Sequence, residues 1–224
     1  MVARIGAVTG WLTLASVLLF SVIGPQIIAG QRVSGVLEPA AIQAYYRHAA
    51  LAPFSAAGFV IILFLLPFVL ALRQSLASNE RARFFSTLGL LFAIAAVPLY
   101  LASNTLQATL VAIAAGGGDI VPMFRLWDVL YNGAAYVLEA GYAAAFAIAM
   151  RDTPEFPRWM PVYGLVVALL QLVNASALFT GIPDMVTLVG NLAFMGWFIG
   201  ASIGLSRLAR AVRATSTLGS QQGI

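Results

Sequence analysis

Two carboxylates and an amide, Asp128, Asn132 and Glu139, fall inside one apolar stretch, "LWDVLYNGAAYVLEAGY" (Leu126 to Tyr142). On an α-helix each residue advances 100°, which puts Asn132 about 40° and Glu139 about 20° from Asp128. Tyr131, Ala135 and Tyr142 fall within about 60° on the other side. Such a ridge is equipped to hold a cation, to hold a proton or to anchor a polar ligand. It is not equipped to share one metal ion, because Asp128 and Glu139 stand about 16 Å apart along the axis. A carboxylate at the centre of a bilayer costs about 3 kcal/mol on insertion scales. Glu139 must therefore be protonated, paired or hydrated. No arginine falls at its depth, so an ion pair is not expected.

Other apolar stretches supply matching polar groups. Tyr100, Asn104 and Gln107 share a helix face at three- and four-residue spacing. Gln171 and Asn174 do the same, and Asn191 stands alone among apolar residues. By depth, Asn104, Gln107, Asn174 and Asn191 belong in the outer half with Asp128 and Asn132, while Gln171 belongs near the midplane with Glu139. These groups predict one cavity between the helices, opening outward. The competing reading is interhelical hydrogen bonding, worth about 0.6 kcal/mol per contact on average. Gly196, Gly200 and Gly204 recur four apart in "GWFIGASIG" and let helix backbones approach closely. Gly196 lies about 140° from Asn191 on the wheel. If Asn191 faces inward, the glycine face points elsewhere. It packs on a neighbouring span or docks a second subunit, in a homodimer or with a partner membrane protein.

The elements that must position these groups are set by composition. The chain has 224 residues, 61% hydrophobic and 9% charged. Soluble domains carry roughly 25% charged residues, so the deficit points to a lipid solvent. Spans need about 20 mostly apolar residues, and six fit. They run over about 5–29, 54–72, 85–114, 126–150, 161–180 and 185–205. The first is read as a retained span, not a cleaved signal. "GQRVSGVLEPAAIQAYYRHAALAP" is too polar to cross; Pro39 opens a short surface helix there, with Tyr45 and Tyr46 at headgroup level. Pro67 and Pro98 sit inside the second and third spans and are expected to bend them. The expected fold is all-α: six transmembrane helices in one bundle over 1–206, then a basic and polar tail over 207–224 ending in a disordered stretch.

Arginine placement sets the topology. With the N-terminus cytoplasmic, Arg4, Arg73, Arg81, Arg83, Arg151, Arg158, Arg207, Arg210 and Arg213 lie inside, and Arg32, Arg47 and Arg125 outside. That bias predicts both termini on the cytoplasmic side.

Several chemistries are excluded. The chain has no cysteine, no lysine and a single histidine, His48. Thiolate metal sites, Schiff-base lysines and bis-histidine haem ligation are therefore absent. "AGGGD" sits between spans and has no strand to make it a phosphate loop. No cofactor and no metal is expected. The +4 charge comes from arginines beside spans and is not a nucleic-acid signal.

The segments "EPAAIQAYYRHAALAP", "WDVLYNGAAYVLEAG" and "EFPRWMPVYGLVVALLQLV" resemble the plan of a group of uncharacterised bacterial six-span proteins, classed as a domain of unknown function. That resemblance implies a multi-pass architecture and brings no activity. Alanine richness without lysine matches a high-GC bacterium, and so an inner-membrane location. Three roles are open. The first is binding or passage of a small polar or cationic lipophilic ligand in the cavity. The second is an accessory subunit docking through the glycine face. The third is an intramembrane enzyme using Glu139 on a lipid.

Overall fold

The computed structural model describes residues 1–23, 38–48, 51–180 and 184–221. The outer end expected for the first span, most of the polar segment after it (with Arg32), and most of the "GIPD" turn lie outside those residues. The described residues form helices and no strand. In chain order they are α1 (Val2–Ser16), continued by the π-helix π1 (Val17–Ile23), then α2 (Pro39–Tyr46) and α3 (Leu51–Ser75). Next come α4 (Glu80–Ala115), α5 (Val121–Asp128), the π-helix π2 (Val129–Ala135), α6 (Tyr136–Met150), α7 (Met160–Thr180) and α8 (Asp184–Gln221).

Among the described residues, five stretches are long and apolar enough to cross a membrane: Val2–Phe20, Gly58–Ser75, Glu80–Ala115, Val121–Met150 and Met185–Ala214. α7 is apolar too, but its qualifying portion, Met160–Ser176, is shorter. Large side chains point outward in mid-helix, with Leu63 69% and Leu169 62% exposed. In water such a surface would aggregate; against acyl chains it costs nothing. Four threonine hydroxyls on these helices are satisfied locally. Thr9 and Thr13 donate to the carbonyls of Ile5 and Thr9, and Thr105 and Thr109 to those of Leu101 and Thr105.

The long helices pack in chain order as a ring: α1 on α3, α3 on α4, α4 on α6, α6 on α7, α7 on α8, with α8 returning to α1. Phe68, Tyr142, Phe146, Phe194, Trp197 and Phe198 fill the middle, with ring centroids 5.2 to 6.3 Å apart. At one end lie Arg73, Arg83, Arg151 and Arg207. At the other, α2, α5 and the last turns of α4 build a second core around Ile42, Tyr46, Leu110, Ile120, Phe124 and Trp127.

Local chemistry sets the ends. Asn79 has extended backbone angles, and its side chain accepts from the Ala82 N–H at 2.8 Å, capping α4. Gly117, at φ +79°, turns the chain after α4 in the left-handed region that glycine alone enters without strain. Pro39 opens α2 and Pro122 opens α5, where a missing N–H is no loss.

Three boundaries differ from the sequence reading. α4 has 36 residues, about 54 Å, well beyond the roughly 30 Å hydrocarbon core; its far end belongs to the second core. The helix bearing Asp128 starts at Val121, not near Leu126. The tail, expected to end in a disordered stretch, stays helical to Gln221. As far as Ala214 the helix runs over "LARAVRA", where leucine, alanine and arginine are all strong helix formers.

Candidate functional site

Glu139 lies eleven residues before the end of α6 at Met150, and Gln171 eleven after the start of α7 at Met160. α6 and α7 are antiparallel neighbours joined at that end, so both residues sit about 16 Å in, at one level. Their side chains meet: the Gln171 amide donates to Glu139 Oε2 at 2.7 Å. From the other side the Tyr100 hydroxyl of α4 donates to Oε1 at 2.6 Å. Gln171 in turn accepts from the Asn174 amide at 2.8 Å, and Asn174 reaches the Thr187 carbonyl of α8 at 3.4 Å. A single column thus runs Tyr100–Glu139–Gln171–Asn174–Thr187 and ties four helices. Glu139, Gln171 and Asn174 are all buried. Tyr142, buried as well, sits beside Tyr100 and packs against Phe194 and Trp197.

Donors converge on Glu139 from both sides of this column. Both carboxylate oxygens accept, so Gln171 must present its amine to Glu139 and its carbonyl to Asn174. Asn174 must then present its amine to Gln171, which leaves its own Oδ1 as an acceptor with no donor among the described residues.

The upper part of the acidic ridge behaves differently. Asn132 donates to Asp128 at 2.5 Å, a self-contained pair one turn apart. Both residues are half-buried, near the second core. The ridge predicted from a continuous α-helix is therefore broken, and the cause is π2, which occupies Val129–Ala135 between the two carboxylates. A π turn takes an additional residue per turn, so α6 is rotated by about 100° against an uninterrupted α-helix. Asp128 and Glu139 share a helix without sharing one set of partners.

The remaining candidates scatter. The Asn191 amide donates to the Tyr136 hydroxyl at 3.1 Å, bridging α8 to α6. Tyr131 stacks on Trp127 at 5.6 Å and tilts against Tyr136 at 5.8 Å. Asn104 packs on the backbone of Gly58 in α3, and Gln107 is half-buried one turn further on; neither joins the Glu139 column. Trp127 donates its indole N–H to Ser103 at 2.7 Å and locks α5 to α4.

The glycine face of α8 is turned onto the same chain. A Cβ at Gly196 would meet the Tyr163 hydroxyl, at Gly200 the Met160 sulfur, and at Gly204 the Phe156 ring. α8 lies between α7 and α1, so two of its faces are covered: Asn191 reaches α6, and the glycines receive α7 and the loop before it. Of the two alternatives read from the sequence, these contacts are those of packing on a neighbouring span of the same chain. Sequence reasoning also missed Tyr136, the Trp127–Ser103 bond, and a second glycine pair. That pair, Gly6 and Gly10 in "GAVTG", has the same four-residue spacing and receives Ala71 and Phe68 of α3 with Leu205 and Ser202 of α8.

No protein-family model, no curated protein and no solved structure matches this chain, which leaves its own geometry to carry the functional reading.

Proposed function

We propose that this chain is a six-span membrane protein of a bacterial inner membrane, with both termini cytoplasmic, that binds or passes a small polar or cationic lipophilic ligand. The ligand enters from the outer face, meets Asp128, Asn132 and Tyr131 at the mouth, and reaches the Glu139 column below. The observation that carries this reading is π2, placed between the two carboxylates. π turns are rare and cluster at functional sites. Here one reorients the helix between an outer acidic group and a mid-membrane one. Asn174 Oδ1, a buried acceptor without a donor among the described residues, supplies a further point for an N–H or O–H of the ligand.

The test is thermal unfolding of the detergent-purified protein with tetraphenylphosphonium and with a quaternary alkylammonium, against neutral analogues of equal size. The expected result is stabilisation by the cations alone, lost in Asp128→Asn and in Glu139→Gln while both variants remain folded. Equal shifts from the neutral analogues would overturn the reading.

A second reading, an accessory subunit, is supported by the saturation of Glu139: both of its oxygens already have protein donors. It no longer has the glycine face as its docking surface, since Phe156, Met160 and Tyr163 occupy it.

The topology carries its own prediction. Because the chain has no cysteine, single cysteines can be labelled without background. Cysteines at Ser78 and Pro154, both exposed, are expected to resist an impermeant maleimide added to intact cells, and one at Asp119, also exposed, to react with it. Labelling at Ser78 from outside would invert the proposal.

A further inference from the structure

Among the described residues, nothing carries a charge opposite to that of Glu139 at its depth. On its own helix the nearest arginines, Arg151 and Arg125, stand twelve and fourteen residues away, about 18 Å or more along the axis. The titratable groups that face it are tyrosines: Tyr100 from α4, Tyr131 from π2, and Tyr136 and Tyr142 from α6. From α7 come the amides of Gln171 and Asn174; the one titratable group of that helix, Tyr163, lies about 12 Å from Gln171 along the axis. α8 reaches the column through the Thr187 carbonyl. Asp128 lies beyond π2, with Asn132 as its partner.

The column accommodates Glu139 in either charge state. Ionised, it accepts from Tyr100 and Gln171, which uses two of the roughly four lone-pair positions of a carboxylate. Protonated on Oε1, it donates to the Tyr100 oxygen instead, because a hydroxyl both donates and accepts at one atom. The Tyr100 hydrogen then turns to the Tyr142 hydroxyl beside it, and Gln171 keeps its bond to Oε2. A carboxylate at the membrane midplane needs its charge neutralised. With no arginine at that depth, a proton or a bound cation does so, and either one excludes the need for the other.

We propose that Glu139 exchanges a proton for the cationic ligand. With the site empty, Glu139 is the neutral acid. When the cation arrives, the carboxyl O–H bond breaks, the proton leaves to solvent, and the remaining lone pairs of the carboxylate face the cation. The net charge of the column is the same before and after. This rests on the proposed binding of a cation at the column and adds that each cation displaces a proton.

The experiment follows tetraphenylphosphonium binding to the detergent-purified full chain against pH, with released protons read by an indicator dye in weakly buffered solution. Affinity should fall about tenfold per pH unit on the acidic limb, because the ionised, binding-competent fraction falls by that factor. It should level off above that limb. Each bound cation should release a proton on the limb and none on the plateau. Tyr100→Phe keeps the carboxylate and removes a donor to it; a charge-assisted bond outweighs the neutral one that replaces it, so the limb should move to higher pH. Infrared spectra of the ligand-free protein on the limb should carry a protonated-carboxyl band that the cation removes and that Glu139→Gln lacks. Cation binding with no pH dependence and no proton release would overturn the exchange while leaving the cation site standing. A limb unmoved in Tyr100→Phe, with the infrared band kept in Glu139→Gln, would assign the proton to Asp128 and overturn the proposal too. Absence of cation binding at every pH would overturn both the exchange and the site.

Discussion

Glu139→Ala is expected to melt well below the native protein, by an amount corresponding to about 2–6 kcal/mol. The size comes from the groups that the truncation leaves behind. The Tyr100 hydroxyl and the Gln171 amide both lose their acceptor, and each orphaned buried donor costs about 1–3 kcal/mol. That exceeds the roughly 0.6 kcal/mol typical of an intact interhelical hydrogen bond, because the native bond is measured against a chain that finds other partners in the membrane. Glu139→Gln should be much milder, about 1 kcal/mol: its amide oxygen still accepts from one neighbour, and the other can rotate. Tyr100→Phe should resemble it, since Gln171 still donates to the carboxylate. The order alanine, then glutamine and phenylalanine, then native should appear in thermal or SDS unfolding of the purified protein. An alanine variant as stable as the native one would mean that the Tyr100–Glu139–Gln171 contacts do not hold the helices together.

Much of this arrangement was legible from residue types. The charge deficit and the apolar runs announce long lipid-facing helices, and Pro39 marks a helix start that the chain does take. That Glu139 and Gln171 stand at one level follows from depth, since antiparallel neighbours put equal offsets from their shared turn at one level. What a helical wheel cannot supply is the π2 segment. Its extra residue changes the phase between Asp128 and Glu139, and nothing in "VLYNGAA" states where a helix will take five residues per hydrogen bond instead of four. The partners of the other amides were not legible for a related reason. Asn104, Gln107 and Asn191 are each inward enough to read as cavity groups, yet which neighbour each one meets depends on rotations that periodicity leaves free. Asn104 finds the gap left by Gly58, and Asn191 finds Tyr136. The glycines of α8 were legible as a contact face but not as to partner, because four-residue spacing is the same whether the opposing helix belongs to the same chain or another.

The closure of the ring gives the other large effect. Gly6 and Gly10 sit where α1 presses on both α3 and α8, and the obstacles to a side chain there differ in kind. At Gly6 a new Cβ meets the Cβ of Ala71, an atom fixed to the backbone of α3, so relief requires the helices to separate. At Gly10 it meets Ser202 and the ring of Phe68, and Phe68 is fully buried against Trp197 and Phe198 in the centre of the bundle. Gly200, by contrast, faces the sulfur of Met160, the far part of a flexible side chain that can swing aside. Overpacking a tight interior costs about 1–3 kcal/mol per site, more when the backbone must move. Gly6→Leu is therefore expected to lose about 3 kcal/mol, and the Gly6→Leu, Gly10→Leu double variant to lose the packed bundle. Gly200→Ala should stay within about 1 kcal/mol of the native protein. Size-exclusion profiles and SDS unfolding midpoints of the three variants read this directly. If Gly6→Leu proved as mild as Gly200→Ala, α1 would not be wedged between α3 and α8, and the ring would have to be open on that side.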